Sequence, residues 1–139
     1  MSDPEGLLDT SAVLALRGLR DTAVLPEVAL ISAVTLAELS VGPLVASDDA
    51  ERARRQAQVQ QAEADFDPIP FDAPAARAYA QVAAAYRRSG RKPTVRSFDA
   101  MIAATAIANG LPLFTANPAD FAGIDDLVVR TVPAPDVAS

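Results

Sequence analysis

Short apolar runs alternate with longer amphipathic stretches along most of the chain. An apolar run that ends in polar or turn-forming residues is typical of a buried strand. The intervening stretches carry apolar residues at helical spacing, and most begin near a residue that can cap a helix. The pattern predicts strands over residues 6–8, 29–31, 68–71, 111–115 and 127–130.

Five helices are predicted between these strands. A hydroxyl or carboxylate just before a helical stretch can accept a hydrogen bond from a free N–H of the first turn. We therefore expect Thr10 or Ser11, Ser32, Asp72 and Ser97 to act as caps. The expected helices cover residues 12–19, 33–41, 47–65, 73–89 and 98–109.

The order of these elements predicts the fold class. Strands that alternate with helices across short connections indicate an α/β fold, with a parallel sheet covered by helices on both faces. We expect three layers, with the short strands in the middle. A length of 139 residues fits one domain. That domain is expected to span residues 1–139, with a loose tail over residues 133–139.

Composition narrows the possible chemistry. The chain has no cysteine and no histidine, which excludes cysteine nucleophiles and imidazole-bound metals. Any catalysis must therefore use carboxylates and hydroxyls. No apolar run approaches the roughly 20 residues needed to cross a bilayer, and the acidic N-terminus lacks a secretory signal. These features lead us to expect a cytoplasmic protein that does not contact membranes.

Four acidic residues follow short apolar runs or lie early in the helix after one. They are Asp9, Glu38, Asp99 and Asp120. In an α/β domain such positions open onto one cleft, outside the carboxyl ends of the strands. Two carboxylates about 4 Å apart repel each other by on the order of 4 kcal/mol at an effective dielectric near 20. A hard divalent cation offsets this repulsion, so the four acids indicate Mg²⁺ or Mn²⁺ and phosphate chemistry.

Each of these acids also has an ordinary structural explanation. Asp9 can cap a helix, Glu38 can face solvent, Asp99 can interact with a helix dipole, and Asp120 can belong to a turn. Independent caps would also occupy the opposite edge of the sheet. Because three of the four acids are predicted at the ends or starts of elements at one edge, a shared metal site is the better interpretation.

A basic stretch precedes Asp99. Net charge is −6, which argues against a nucleic-acid partner, but Arg91, Lys92 and Arg96 lie in a segment without acids. They can hold phosphates beside the site, or they can form a solvated loop. The sequence favours neither interpretation over the other.

Four motifs together resemble those of PIN-domain ribonucleases. They cover residues 7–13, 32–39, 98–106 and 115–121, in the family's order and over nearly the whole chain. The third and fourth motifs are specific, whereas the first alone is weak. The small size and the motif set look most like the VapC toxins of bacterial toxin–antitoxin pairs.

The resemblance implies a PIN-like fold and an endoribonuclease activity that requires Mg²⁺, for which Mn²⁺ can substitute. Asp9, Glu38, Asp99 and Asp120 match the family's acidic quartet. Other matching positions are implied to contact the metals or the scissile phosphate. These are Thr10, Ser11 and Thr115, which match hydroxyls, and Asn117, which falls at a position that is acidic in some members.

The expected reaction is hydrolysis of an RNA phosphodiester by a metal-activated water. Asp9 and Asp99 would hold one cation, and Asp120 with Glu38 a second; Glu38 could instead accept a proton from the water. The resemblance also implies a VapB-type antitoxin partner, which could insert an arginine into the cleft, and a homodimer or toxin–antitoxin hetero-oligomer. The alternatives are a catalytically silent PIN-fold binding module and a DNA-directed nuclease of related fold.

Overall fold

The structure is a computed structural model that describes residues 3–134. Its strands are β1 (Glu5–Leu8), β2 (Val28–Ile31), β3 (Leu113–Thr115) and β4 (Val129–Thr131). Its α-helices are α1 (Thr10–Ala15), α2 (Ala33–Val41), α3 (Asp49–Asp65), α4 (Ala73–Arg88) and α5 (Ser97–Ala108). Short 3₁₀ turns cover Leu16–Gly18, Thr22–Val24, Gly42–Val45 and Pro118–Phe121.

The four strands form one parallel sheet in the order β2-β1-β3-β4. β1 lies between two neighbours, with Leu8 opposite Ile31 of β2 and Phe114 of β3. Because all strands run in the same direction, their carboxyl ends meet at one edge. That edge carries the residues that follow β1, β2 and β3.

Successive strand residues point to opposite faces of the sheet. Leu7 and Leu113 pack into a cluster with α4 and α5, whereas Leu8 and Phe114 pack into a second cluster with α1, α2 and α3. Both faces of the sheet are therefore buried under helices, which explains why the strands read as continuous apolar runs. The predicted three-layer α/β architecture is confirmed.

Two predicted caps were wrong. Asp9, not Thr10 or Ser11, caps α1, because its carboxylate accepts a hydrogen bond from the N–H of Ala12 at 2.9 Å. Ser97 is the first residue of α5 and not its cap. The caps predicted at Ser32 and Asp72 are confirmed.

The predicted strand over residues 68–71 is reduced to a single bridge between Ile69 and Ser32. Of the predicted loose tail over residues 133–139, residues 135–139 lie outside the part of the chain that the structure describes. Within residues 3–134, no helix combines the length and the apolarity that crossing a bilayer requires.

Close packing at Gly6 gives a test of the core. A Cβ atom there would overlap the ring of the buried Phe114 and would lie 3.1 Å from Pro26. Gly6→Ala should therefore lower the free energy of unfolding by about 1–3 kcal/mol, measured by urea denaturation. Gly18→Ala is the control, because no atom lies within 4 Å of its added Cβ. Equal denaturation midpoints for the two variants would contradict the packing described here.

Candidate active site

Asp9 lies directly after β1 and is only 4% exposed. One carboxylate oxygen accepts hydrogen bonds from the Ser11 hydroxyl at 2.7 Å and from the Ala12 N–H at 2.9 Å. The other accepts a hydrogen bond from the Thr115 hydroxyl at 2.5 Å. These partners come from both sides of the β1–β3 junction, so the carboxylate is held in a single orientation at the edge of the sheet.

The hydroxyls of Ser11 and Thr115 also connect the loops that follow the two strands. Ser11 accepts a hydrogen bond from the Ala116 N–H at 2.9 Å, and Thr115 accepts one from the Asn117 N–H at 3.0 Å. Each hydroxyl therefore accepts from one loop while it donates to Asp9. The structure thus gives these two predicted site residues a role in orienting Asp9, while Asn117 itself is exposed.

Glu38 reaches the same region from α2, which begins after the end of β2. Its carboxylate accepts a hydrogen bond from the Thr10 hydroxyl at 2.7 Å. Thr10 adjoins Asp9 in the chain, so this bond ties the α2 carboxylate to the start of α1. Both Thr10 and Glu38 are half-buried.

Asp99 and Asp120 share one guanidinium group. The Nη1 atom of Arg96 lies 2.9 Å from an oxygen of Asp120 and 3.8 Å from an oxygen of Asp99. Asp99 lies in the first turn of α5, and Asp120 lies in the 3₁₀ turn that follows β3. Arg96, predicted as a phosphate contact, is therefore a counter-ion for two of the four acids.

The electrostatics show that the four acids lie in one neighbourhood. Burial and the charges of Asp120, Glu38 and Asp9 together raise the pKa of Asp99 to about 6, while Arg96 opposes them. The three charges come from residues far apart in the sequence. Their charges nevertheless act on one carboxyl group.

Arg91 has contacts that the sequence did not suggest. Its Nη1 atom donates to the backbone oxygen of Asp120 at 2.7 Å, and its Nη2 atom donates to that of Ala122. The guanidinium carbon lies 4.6 Å from the centre of the Tyr86 ring. Arg91 and Asp120 are 29 positions apart, so no local motif would reveal the pairing. Lys92 beside it is exposed.

The donor chemistry of the site fits a hard cation. The available ligands are carboxylate and hydroxyl oxygens, which Mg²⁺ and Mn²⁺ prefer, and burial together with the neighbouring acids raises the pKa of Asp99. In residues 3–134 no three acidic side chains are close enough together to hold a metal ion as they stand. Hydrogen bonds draw Glu38 toward Thr10 and Asp120 toward Arg96, so binding would require these side chains to rotate.

Known proteins are similar to this chain over most of its length. The family model of the PIN domain matches residues 6–127. The chain is 40% identical over 122 residues to ribonuclease VapC5 of Mycobacterium tuberculosis, covering 86% of this chain and 87% of that protein. It is 32% identical over 133 residues to ribonuclease VapC of Rickettsia bellii, covering 94% and 98%.

A solved structure shows the same fold. The crystal structure of VapBC-5 from Mycobacterium tuberculosis, a member of the VapBC family of toxin–antitoxin systems, superposes with a TM-score of 0.78 at 38% identity, covering 94% of this chain and 99% of that chain. The family model alone spans well over half of the chain. This chain therefore belongs to the PIN domain family, among the proteins named VapC.

Proposed function

We propose that this chain is a Mg²⁺-dependent endoribonuclease, with Mn²⁺ as a substitute, that acts as the toxin of a toxin–antitoxin pair. The observation that carries the proposal is the set of carboxylates around Asp99: one Arg96 guanidinium lies beside both Asp99 and Asp120, and the charges of Asp120, Glu38 and Asp9 add to the effect of burial in raising the pKa of Asp99. The relatives named ribonuclease VapC support the reaction type. The similarity to a VapBC toxin–antitoxin structure supports the biological role.

Asp9 and Asp99 are the residues that would hold the first cation, and Asp120 with Glu38 a second. A divalent cation supplies a water of lowered pKa and neutralises charge on the phosphate. Asp9 suits this role because its three hydrogen bonds fix its orientation before any ligand arrives. Asp99 suits it because a bound cation would offset its burial and the charges of the neighbouring acids, which together raise its pKa.

Proton transfer must use a carboxylate or metal-bound water, since the chain has no histidine. Glu38 is the candidate base if it does not join the second metal site. The Thr10 hydroxyl donates to only one of the two carboxylate oxygens of Glu38, namely Oε1. A carboxylate within reach of the attacking water can accept its proton.

RNA would be held through its phosphates by cations beside the acids. Lys92 is exposed on the loop before α5, so its ammonium can contact a backbone phosphate. Arg96 can do the same once a metal has taken its place beside Asp99 and Asp120. The acidic net charge of the chain makes this local basic loop the natural contact surface.

The proposed partner is a VapB-type antitoxin that supplies an arginine to the cleft. Arg96 shows that the carboxylates of Asp120 and Asp99 accept a guanidinium group, and bidentate arginine–carboxylate pairs are strong. An apolar groove between α1 and α3 could hold an adjoining segment. The apolar lining residues are Val13, Leu14, Leu16, Ala62 and Phe66, and the polar ones are Arg17, Gln58, Gln61 and Asp65. An antitoxin arginine and a metal ion would then compete for the same carboxylates.

Cleavage assays test the activity. Purified protein incubated with total RNA should cut it with Mg²⁺ or Mn²⁺ and should stop when a chelator is added. Asp99→Asn and Glu38→Gln should lower the rate by at least about 100-fold, because each removes a charge needed at the site. Asp125→Asn is the matched control, since Asp125 is exposed on the loop before β4 at the opposite edge of the sheet.

Cleavage by Asp99→Asn at the wild-type rate would refute the assignment. Cleavage of DNA in preference to RNA would favour the DNA-directed alternative. If the wild type cuts neither nucleic acid but still binds an antitoxin, the chain is a silent binding module.

The pKa of Asp99 predicts how stability depends on pH in a chelator. A carboxyl group whose pKa is higher in the folded state contributes its full stability at a pH below the pKa of the unfolded state. For Asp99 that contribution is lost as the pH rises through about 6. Asp99→Asn should therefore raise the free energy of unfolding at pH 7.5 by about 1–2 kcal/mol. The advantage should narrow as the pH falls from 7.5 to 4. An advantage that is independent of pH would show that the charge of Asp99 is not its source.

Arg96→Gln tests the internal counter-ion. Removing the guanidinium leaves Asp99 and Asp120 without their neighbouring cation, so the metal-free protein should unfold at a lower temperature. Its Mn²⁺ affinity should rise about fivefold, because about 1 kcal/mol of competition is lost. Isothermal titration calorimetry with Mn²⁺ measures the change. Unchanged or weaker binding would mean that Arg96 does not compete with the metal.

A further inference from the structure

We infer that Arg91 is a positioning residue that holds Asp120 in place for metal binding. The inference rests on the proposed function, because it assigns a role to Asp120 as a metal ligand. It differs from the sequence-based expectation that Arg91 contacts phosphate. The guanidinium of Arg91 is already engaged with backbone oxygens of the protein.

Asp120 lies on a segment that has few hydrogen bonds of its own. The 3₁₀ turn Pro118–Phe121 is four residues long, and the carbonyl groups at the end of so short a helix lack helical partners. Arg91 donates to the backbone oxygens of Asp120 and Ala122, and also to that of Ala119, which already accepts a hydrogen bond from the Ala122 N–H. One side chain therefore fastens the turn on both sides of the metal-binding candidate.

Tyr86 completes this attachment from α4. It is fully buried, and its hydroxyl donates to the backbone oxygen of Asp120 at 3.0 Å. Its ring lies under the guanidinium of Arg91 at 4.6 Å, a distance at which a cation and an aromatic face attract each other. Tyr86 thus contacts both the backbone of Asp120 and the guanidinium of Arg91.

The turn is also anchored in the core through the residue after Asp120. Phe121 is 2% exposed and packs with α4 and α5. The backbone at Asp120 is therefore held by a buried neighbour as well as by hydrogen bonds from Arg91 and Tyr86. This arrangement leaves the Asp120 carboxylate directed at Arg96 and the acidic site.

Arginine suits this position better than lysine does. The planar guanidinium presents five N–H donors in a rigid fork, whereas an ammonium group is a compact charge on a flexible stem. The fork places two separate nitrogen atoms on different carbonyl oxygens of one turn, whereas a lysine has a single nitrogen atom at the end of its side chain. Arg91→Lys keeps the charge and should still loosen the turn.

Mn²⁺ affinity, measured by isothermal titration calorimetry below the unfolding transition of each variant, tests the inference. Arg91→Gln should weaken Mn²⁺ binding about 10-fold, the size expected when a group that orients a ligand is removed. Arg91→Lys should also weaken it, and Tyr86→Phe should do so to a smaller extent. The same substitution at the exposed Arg88, at the end of α4, should leave the affinity unchanged.

The direction of the effect separates positioning from simple electrostatics. Removing a positive charge near a cation site strengthens cation binding if charge alone matters. Weaker binding by Arg91→Gln therefore requires a structural route through Asp120. In an Asp120→Asn background, Arg91→Gln should cause no further loss, because the residue it positions has been removed.

Three results would overturn the inference. The first is unchanged or tighter Mn²⁺ binding by Arg91→Gln. The second is an equal loss of affinity from Arg91→Gln in the wild-type and Asp120→Asn backgrounds. The third is a wild-type affinity in both single variants, Tyr86→Phe and Arg91→Lys. If the wild type binds Mn²⁺ and cuts RNA, such results leave the proposed function standing. A wild type that neither binds Mn²⁺ nor cuts RNA would overturn both proposals.

Discussion

The hydrogen bonds of one buried carboxylate organise the edge of the sheet on which the rest of the site depends. Asp9 accepts bonds from Ser11, Ala12 and Thr115, and so joins the end of β1 to the end of β3. A buried charge is costly unless it is hydrogen-bonded in this way. The bonds therefore both make its burial possible and set its orientation. Every other acid reaches the site from an element that packs against these two strands.

Charge at the site is balanced by the protein itself. The carboxyl group of Asp99 has a raised pKa because burial and three neighbouring acids disfavour its ionised form. Arg96 relieves part of this repulsion through the side chains of Asp99 and Asp120. Arg91, five positions earlier, acts on the backbone of the same Asp120. The loop before α5 thus contacts both the side chain and the main chain of Asp120.

Local sequence reasoning succeeded where the physics is local. The apolar runs at residues 6–8 and 29–31 became β1 and β2, because strands buried on both faces carry no polar alternation. It failed at the caps Thr10, Ser11 and Ser97. For α1, several adjacent residues could serve as the cap, and Asp9 took that position. It also overextended the run at residues 68–71, where two prolines leave few N–H groups for a ladder.

The sequence by itself determined the alternation of strands and helices, the absence of histidine and cysteine chemistry, and four acids spaced to meet at one edge. These features follow from residue type and from the spacing of apolar and polar residues, both of which can be read over a few consecutive positions. Only the tertiary structure decided that Ser11 and Thr115 orient Asp9, that Arg96 pairs with two acids, and that Arg91 binds the backbone of the Asp120 turn. Such contacts join residues up to 106 positions apart, and only folding brings those groups within hydrogen-bond distance.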